Sequence, residues 1–474
     1  MFQESLFIPD RFDMLQRSYQ ADLQGIIYPV HETIQYLQSV FMNMGASRRG
    51  DFLIFRGEPG SGKSTFLHTL PIFIPAAEIF SIQPHTSIPQ ALQNSQPVQK
   101  DLRVIIIEGR EALGETSQQE IETSIHSINQ FLRSERGERT IIVWPANTDH
   151  LSNILETSAK NVGGDSLLGV NNSQYFFTGP PKESFLQIAN NTISVLNQGA
   201  TLSDLGVSLA AAESIAHRSS TIGQYLGNIR SELLKNRQHV QQLLEYEKCK
   251  LWIVVIAGND PDGDVAALTR STNASIDIER LLSATGANIV NDLKQYPSQL
   301  GILGTVLDAK IIHIPILTAL SVSRDFADDN LRAMMSSNGL STTPSKDSIE
   351  KLQSSELAKI LLGQSLGVRT RGAKPGSNTV SSFEKLTNIA RTNDSALNRA
   401  LGLALASSGL IQDFDLEVPF KGSTSIRTDL VCNNLQHGNV RIELMWKKKT
   451  SRADIANYVL KKLHNYGRNI NLLQ

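Results

Sequence analysis

A glycine-rich segment that ends in a lysine and a hydroxyl side chain could bind phosphate. It follows a short apolar run at 52–55 and precedes a stretch of helical character at 63–70. In a strand–loop–helix, successive backbone N–H groups converge on a phosphate at the helix N-terminus. Lys63 would reach the β- and γ-phosphates, and the Ser64 hydroxyl would be a ligand of Mg²⁺. The sequence therefore predicts a nucleoside triphosphate site, for ATP with Mg²⁺, built from Gly57, Glu58, Pro59, Gly60, Ser61, Gly62, Lys63, Ser64 and Thr65.

This chemistry also needs an acid that holds the metal or polarises the attacking water. Glu108 stands at the end of the next buried-type strand, at 103–107, and Glu111 lies one helical turn further on. Asn147 follows another apolar strand, at 140–144, and could orient the water or contact the γ-phosphate. We expect Glu108 to bind the metal and leave open whether Glu108 or Glu111 activates the water.

These segments together resemble the AAA+ ATPases. The matching elements are GEPGSGKS at 57–64, IIIEGRE at 105–111, IIVWPANT at 141–148 in the position of sensor 1, and a helical lid over 182–248. The family's Walker B segment ends in Asp-Glu, whereas Glu108 and Gly109 stand here. The resemblance implies an oligomer in which a neighbour completes each site. It also implies a sensor 2 arginine, for which Arg218 and Arg230 are candidates, and an arginine finger, for which the candidates are Arg133, Arg136 and Arg139.

A second set of chemical side chains lies near the C-terminus. Asp429 and Glu443 occupy two successive strand-like segments, and residues 443, 445 and 447 share one face of the second segment because side chains alternate along a strand. This arrangement resembles the PD-(D/E)xK nucleases, in which two carboxylates bind Mg²⁺ at the scissile phosphate. A lysine two residues after the second acid assists them. Met445 takes that place here, and Lys447 is the next residue on the same face.

Three interpretations of this segment stay open: an active metal-dependent nuclease with Lys447 in the lysine's role, an inactive DNA-binding relative, and solvent-exposed acids without a site. Glu417 could be a third acid, and Tyr458 resembles the polar residue that packs beside such sites. From residue 440 onward there are eight basic and two acidic side chains in a protein of net charge -1. Such a local excess of positive charge favours DNA as a partner.

The order of elements predicts an α/β protein with a P-loop NTPase (AAA+-like) core and helical lid, plus an α/β C-terminal domain of αβββαβ restriction-endonuclease-like type. Apolar strands alternating with helices indicate a parallel sheet covered on both faces. Segments rich in Ser, Thr, Gly and Asn at 335–350 and 368–382 are typical of linkers. We predict a P-loop core over 1–181, a lid over 182–248, a middle α/β region over 249–350 and a nuclease-like domain over 351–474.

Composition excludes several classes of protein. Two cysteines far apart, Cys249 and Cys432, exclude a disulfide framework and a cysteine-based zinc site, which fits a reducing cytoplasm. No apolar run approaches the length that crosses a bilayer, so no membrane association is expected.

Our first hypothesis is an ATP-dependent, DNA-acting AAA+ ATPase fused to a nuclease-like domain. The resemblance to the AAA+ ATPases and to the PD-(D/E)xK nucleases together implies a role in defence against foreign DNA, with partner proteins. The alternative is a non-nucleolytic ATPase switch that binds DNA or recruits an effector. A third class, an ATP-gated scaffold, would have no affinity for DNA at low salt.

Overall fold

The computed structural model describes residues 7–11, 14–15, 25–112, 114–168, 174–245, 247–259, 261–270, 272–286, 293–367, 375–421 and 426–473. The chain divides into two compact units. The first comprises Met1–Leu196 with Ala212–Arg230, and the second comprises Asn197–Ala211 with Ser231–Gln474. Arg369, Arg371 and Lys374, within the predicted linker at 368–382, lie outside the described residues.

Strands and helices alternate along most of the chain. The strands are β1 (Asp51–Arg56), β2 (Ala77–Ile82), β3 (Leu102–Ile107), β4 (Thr140–Ala146), β5 (Gln174–Phe176), β6 (Lys250–Ala257), β7 (Thr269–Arg270), β8 (Ser275–Ile276), β9 (Lys310–His313), β10 (Asp413–Pro419), β11 (Arg427–Asn434) and β12 (Gly438–Lys447). The α-helices in the first unit and at its boundary are α1 (His31–Ser47), α2 (Lys63–His68), α3 (Leu70–Phe73), α4 (Ile88–Gln93), α5 (Gln118–Leu132), α6 (Asp149–Gly163), α7 (Phe185–Leu196), α8 (Leu209–Arg218) and α9 (Ile222–Leu243). Those that follow are α10 (Asp262–Leu268), α11 (Ile278–Ser283), α12 (Pro297–Val306), α13 (Ile316–Asp325), α14 (Asp329–Ser337), α15 (Ser348–Gln353), α16 (Glu356–Leu361), α17 (Ser377–Ser407) and α18 (Arg452–Asn469).

The first unit is built on a five-stranded parallel sheet in the order β2-β3-β4-β1-β5. Alternate residues of its central strands enter different cores: Phe52 and Ile54 pack with α5 and α6, whereas Leu53 and Phe55 pack with α1 and α2. A strand that is buried on both faces has a continuous run of apolar residues, and for this reason the sequence predicts β1, β3 and β4. The expected α/β class and the parallel sheet covered on both faces are confirmed.

The sequence analysis did not predict one strand of this sheet. β2 lies at the edge of the sheet, and most of its residues are only partly buried. An edge strand has one neighbour and needs no continuous apolar run, so its composition carries a weaker signal. The helical region predicted over 182–248 contains α7, α8 and α9, and the boundary between the two units divides it.

The second unit contains a seven-stranded sheet in the order β10-β11-β12-β6-β9-β8-β7. β10, β11 and β12 form an antiparallel meander, and β6 and β9 continue from β12 in parallel. Helices cover both faces. α17 packs on the face that carries Ile442 and Leu444, whereas α18 packs on the face that carries Met445.

The seven-stranded sheet spans the predicted domain boundary at 350, because it contains strands from both sides of it. β6, from the predicted middle region, pairs with β12 over eight residue pairs, from Val440↔Lys250 to Lys447↔Ala257. β6 is buried along nearly its whole length, so its backbone N–H and C=O groups need hydrogen-bond partners on both sides, which β12 and β9 provide. The predicted αβββαβ order is met up to α18, but no strand follows that helix within the described residues. β6 takes the place beside β12 that a closing strand would have filled.

Candidate nucleotide-binding site and carboxylate cluster

The glycine-rich loop has a backbone that only glycines accommodate easily. Gly60 and Gly62 adopt φ angles of +82° and +95°, in the left-handed region. A Cβ atom on Gly57 would lie 2.7 Å from the carbonyl oxygen of Phe177. Gly62 also precedes the first turn of α2, so the loop delivers the chain directly into a helix N-terminus. The loop therefore has the strand–loop–helix geometry that the motif requires.

Lys63 is held at the base of this loop. Its Nζ atom donates hydrogen bonds to the carbonyl oxygens of Gly57 (2.7 Å) and Glu58 (3.1 Å) and to Oδ1 of Asn147 (2.9 Å). Burial lowers the pKa of Lys63 to about 8, although the nearby Glu111 carboxylate opposes that shift. A buried ammonium group with acceptors on one side is placed to meet an anion on the other.

A cavity of about 1280 Å³ opens beside the loop. Its apolar lining includes Ile26, Tyr28, Val30, Ile188, Ile222 and Leu226. Its polar lining includes Lys63, Ser64, Thr65, Glu108, Glu111 and Asn147. An apolar region next to a polar region suits a ligand with a flat base at one end and phosphates at the other. Sequence reasoning missed the contribution of residues 26–30, which carry no motif.

Glu108 faces the first helix after the loop. Its Oε1 lies 2.8 Å from Nε2 of His68, one helical turn after Ser64. Ser64 is exposed in the cavity, so a hydroxyl and a carboxylate lie in the same cavity. Mg²⁺ prefers oxygen ligands and retains water in its remaining positions, and these two residues therefore fit the ion.

Glu111 occupies a different part of the cavity. Its carbonyl oxygen accepts the backbone N–H of Asn147 (2.9 Å), and its carboxyl interacts with the charge of Lys63 and the Asn147 side chain. Burial raises the pKa of Glu111 above its usual value, with Lys63 acting against that rise. The two acids therefore have different surroundings: Glu108 lies beside the helix that carries Ser64, and Glu111 lies beside Lys63 and Asn147.

The start of α9 contacts the glycine-rich loop. The N–H of Gly223 donates to the carbonyl of Gly60 (2.9 Å), and a Cβ on Gly60 would lie 3.0 Å from Oγ1 of Thr221. Arg230, further along α9, binds Oδ2 of Asp10 (2.9 Å) and the carbonyl of Ile8 (3.1 Å).

None of the five candidate arginines lines the described part of the cavity. Arg218 bonds to the carbonyl of Ser214 within its own helix, and Arg133, Arg136 and Arg139 are exposed. The candidates for sensor 2 and the arginine finger therefore stay predictions.

In the second unit, Asp429 and Glu443, which the resemblance to PD-(D/E)xK nucleases singled out, lie on the neighbouring strands β11 and β12. Oδ2 of Asp429 accepts the backbone N–H of Leu444 over 2.6 Å, just where the ladder between β11 and β12 ends at Leu430↔Ile442. The two carboxyl groups are close enough to share a hydrogen bond when one of them is protonated. Glu443 is 0% exposed. Burial raises the pKa of Glu443 to about 7, and the proximity of Asp429 adds to the rise.

Further side chains converge on this pair. Burial and then the charges of Asp429 and Asp394 raise the pKa of Glu417. Tyr458 is largely enclosed, and burial followed by the nearby carboxylates raises its pKa. No group of three or more His, Cys, Asp or Glu side chains among the described residues is arranged to hold a metal ion. A metal here would have Asp429 and Glu443 as its carboxylate ligands, a hard donor set that fits Mg²⁺.

The lysine next to these acids is one that the sequence analysis did not single out. Nζ of Lys462 on α18 lies 2.5 Å from Oε2 of Glu443, whereas the predicted Lys447 has an exposed side chain at the end of β12. Met445, which lies between Glu443 and Lys447 on the same face of β12, is buried in the core and only 3% exposed. The sequence does contain an indication of Lys462. It follows Tyr458 by four residues, and residues at that spacing lie on one side of a helix.

The basic C-terminal segment is less available to DNA than its composition indicates. Arg441 is 2% exposed, and its Nη2 atom lies 2.7 Å from Oε1 of Glu247. Lys462 binds Glu443, Lys448 binds Glu384 and Arg452 lies near Asp264. The remaining cations, with exposed side chains, are Lys447, Lys449, Lys461 and Arg468.

Several solved structures are similar to this chain at low sequence identity. No protein-family model matches the chain, and no curated protein matches it. The chain is similar to a mutant RuvB of Thermotoga maritima, with 15% identity, 45% of this chain and 64% of that chain covered, and a TM-score of 0.29. It therefore spans less than two thirds of that structure's length. It is also similar to ORC2 of Aeropyrum pernix, with 11% identity, coverage of 81% and 96%, and a TM-score of 0.33.

A third similar structure is a DNA polymerase III gamma subunit-related protein of Thermotoga maritima, with 14% identity, coverage of 77% and 98%, and a TM-score of 0.25. At these identities and TM-scores the likeness carries no argument for a shared activity, so the function rests on the geometry of the two sites. No helix in the described part of the chain is both long and apolar enough to span a bilayer.

Proposed function

We propose that this chain is an ATP-hydrolysing P-loop protein of the AAA+ type. The observation that carries the proposal is the hydrogen bond from Lys63 Nζ to Asn147 Oδ1 (2.9 Å) in a cavity that also holds Ser64, Glu108 and Glu111. These are the groups that bind a triphosphate, hold its metal and position a water molecule. The apolar side of the cavity would take the adenine base.

Each residue then has a distinct task. Backbone N–H groups of the loop and the ammonium of Lys63 bind the β- and γ-phosphates, and Ser64 with Glu108 would hold Mg²⁺. When bound, Mg²⁺ neutralises charge that develops on the phosphate oxygens. Glu111 accepts a proton from the attacking water, whose oxygen bonds to the γ-phosphorus while the bond to the bridging oxygen of ADP breaks. Asn147 orients both Lys63 and Glu111.

The test is a comparison of Lys63→Ala with wild-type protein. Nucleotide binding is measured by calorimetry, and hydrolysis by phosphate release with Mg²⁺. We expect hydrolysis to fall by about 100-fold or more, because the variant loses the cation at the transferred phosphate. Lys182→Ala, which removes an exposed lysine of the same unit, is the matched control. Unchanged hydrolysis by Lys63→Ala would exclude this site as the ATPase centre.

For the second unit we propose a metal-dependent site that cleaves DNA phosphodiesters. The supporting observation is the buried pair Asp429–Glu443, fixed by the N–H of Leu444 and the ammonium of Lys462. Two buried acids at one place repel each other when both are ionised, and a divalent cation relieves that repulsion. The rival interpretation is a non-nucleolytic switch that binds DNA or recruits an effector.

Cleavage of plasmid DNA with Mg²⁺ and ATP separates these interpretations. We expect wild-type protein to cut and Asp429→Ala to lose cutting, while Asp415→Ala, at an exposed acid of β10, cuts normally. DNA retardation that weakens with salt, without cutting, would favour the switch. Absence of DNA binding at low salt would favour an ATP-gated scaffold.

Assembly into a homo-oligomer, additional partner proteins and a role against foreign DNA belong to the same proposal. Analytical ultracentrifugation with and without ATP tests the first of these. A nucleotide-dependent shift to a larger species is expected, because an AAA+ site is completed by a neighbouring copy.

A further inference from the structure

We propose that Lys462, on helix α18, is the catalytic lysine of the Asp429–Glu443 site. The inference rests on the proposed DNA-cleaving function and names a residue for it. The lysine would come from a helix that packs on the sheet and not from strand β12, where the resemblance to PD-(D/E)xK nucleases places it.

Strand β12 cannot supply this cation. Met445 stands at the expected position and is 3% exposed, in the same core as Ile455 and Val459 of α18. An ammonium group at that place would be enclosed by apolar side chains. Lys447 is one pleat repeat further along, roughly 7 Å from residue 445, and its side chain is exposed.

Helix α18 holds Lys462 in position. The helix begins with a capping box in which Ser451 and Asp454 exchange side-chain and backbone hydrogen bonds, so its first turn is well defined. Tyr458 lies one turn before Lys462, and Nζ of Lys462 is 5.3 Å from the centre of the Tyr458 ring. The Lys462 side chain remains 21% exposed, so it contacts Glu443 and can still be reached by a substrate.

A second observation indicates that the chemistry of this site suits a further cation. Oε2 of Glu443 is bonded to Lys462, whereas Oε1 is buried and, while both carboxyl groups are ionised, receives no hydrogen bond within the described residues. The adjacent group is the Asp429 carboxyl, which is an acceptor when ionised. One ammonium cannot neutralise two carboxylates, so the site has room for additional positive charge. Lys462 can keep its contact with Glu443 and donate another N–H to a phosphate oxygen.

The chemistry of phosphodiester hydrolysis gives the ammonium its task. The oxygen of water forms a bond to phosphorus, the ester bond to the leaving sugar oxygen breaks, and one proton of the water ends on that oxygen. Negative charge builds up on the phosphate oxygens during this exchange. A fixed cation beside them stabilises the transition state more than the ground state.

The experiment compares Lys462→Met with Lys447→Met in the full-length protein. Met keeps the length of the side chain and removes its charge. We expect Lys462→Met to lower the rate of plasmid cleavage by about 100-fold or more, and Lys447→Met to leave it within about twofold. Circular dichroism of the same samples checks that each variant is folded.

Mn²⁺ binding, measured by calorimetry or by the loss of the free Mn²⁺ signal in electron paramagnetic resonance, is a readout independent of cleavage. We expect Asp429→Ala to lose binding. Lys462→Met should bind Mn²⁺ at least about threefold more tightly, because a competing cation has been removed from Glu443. Lys447→Met should bind as the wild type does. Unchanged or weaker binding by Lys462→Met would overturn the placement of the ammonium at the metal site.

The outcomes separate this inference from the proposed function. Wild-type protein that does not cut DNA overturns the nuclease and the catalytic lysine together. Cutting by wild type that Asp429→Ala abolishes and Lys462→Met leaves unchanged overturns only the lysine. If Lys462→Met does not fold, Lys447→Met decides: a large loss of cutting there would transfer the role to Lys447, and full cutting would support Lys462.

Discussion

Oδ1 of Asn147 accepts a hydrogen bond from Nζ of Lys63 over 2.9 Å, although the two residues lie 84 positions apart in the chain. The backbone N–H of Asn147 also donates to the carbonyl of Glu111. The ends of β1, β3 and β4 meet at one edge of the parallel sheet, and this asparagine connects them. Its position allows the proposed coupling between phosphate binding and water activation to be tested by substitution.

Replacing Asn147 should affect hydrolysis more than binding. In Asn147→Ala, Lys63 keeps its two carbonyl acceptors but loses its side-chain partner, and Glu111 loses a donor. We expect hydrolysis to fall by about 10- to 100-fold, with ATP affinity within a few-fold of wild type. Steady-state phosphate release and calorimetric binding measure the two quantities. Asn161→Ala, at an exposed position of α6, is the control; equal effects of both variants would contradict the assignment.

The two acids of the nucleotide cavity should separate in their effects. Glu111→Gln removes the proposed proton acceptor beside Lys63 and should lower hydrolysis by about 100-fold while ATP remains bound. Glu108→Gln removes a predicted metal ligand and should raise the Mg²⁺ concentration needed for half-maximal activity by about tenfold. Titration of activity with Mg²⁺ gives both values. The reverse pattern would exchange the two roles.

Asp51 should make the first unit more stable at acidic pH. Burial raises its pKa from 3.8 to about 6, although its carboxylate accepts the N–H of Phe52. Between these values the folded protein holds a proton that the unfolded chain has released. The free energy of unfolding therefore falls as pH rises from about 4 to 6 and remains lower at pH 7.

The variant Asp51→Asn keeps the acceptor for Phe52 and removes the charge. It should exceed wild type in stability at pH 7 by about 1–2 kcal/mol and match it near pH 4. Urea unfolding can be followed by Trp144 fluorescence after Trp252 and Trp446 are replaced by Phe. Asp101→Asn, at an exposed acid, is the control. A stability difference independent of pH would contradict the assignment to Asp51.

Arg441 should stabilise the fold and should not bind DNA directly. It is buried with Glu247 and also donates to Oγ1 of Thr428 and to the carbonyl of Pro419. Arg441→Met leaves the Glu247 carboxylate buried without its cation and should lower the stability of the second unit by about 3–5 kcal/mol.

Urea unfolding reported by Trp252 measures this effect, and Lys449→Met, at an exposed lysine, should be nearly neutral. The double variant Arg441→Met with Glu247→Leu should recover part of the loss, since no unpaired charge remains buried. A stable Arg441→Met protein with weakened DNA binding would show instead that the guanidinium contacts phosphate.

Several features could be predicted from sequence because they depend on residues close together in the chain. The P-loop is determined by eight consecutive residues, and β1, β3 and β4 by apolar runs that only burial on both faces explains. Asp429 and Glu443 were singled out by the resemblance to PD-(D/E)xK nucleases, and the structure places them on two neighbouring strands joined by a short turn. Glu108, Glu111 and Asn147 were singled out because they follow the apolar runs of β3 and β4, and the structure places all three in the cavity beside the loop.

Only the tertiary structure decided the remaining features, because they depend on contacts between distant segments. β6 reaches its place beside β12 across almost two hundred residues, so the middle region and the C-terminal region share one sheet. The lysine on Glu443 comes from a helix, which strand periodicity cannot reveal. Arg441 looks like a phosphate ligand in sequence, but its surroundings bury it against Glu247. Residue types and spacing therefore determine which chemistry is available, whereas long-range packing decides which charged groups remain free to perform it.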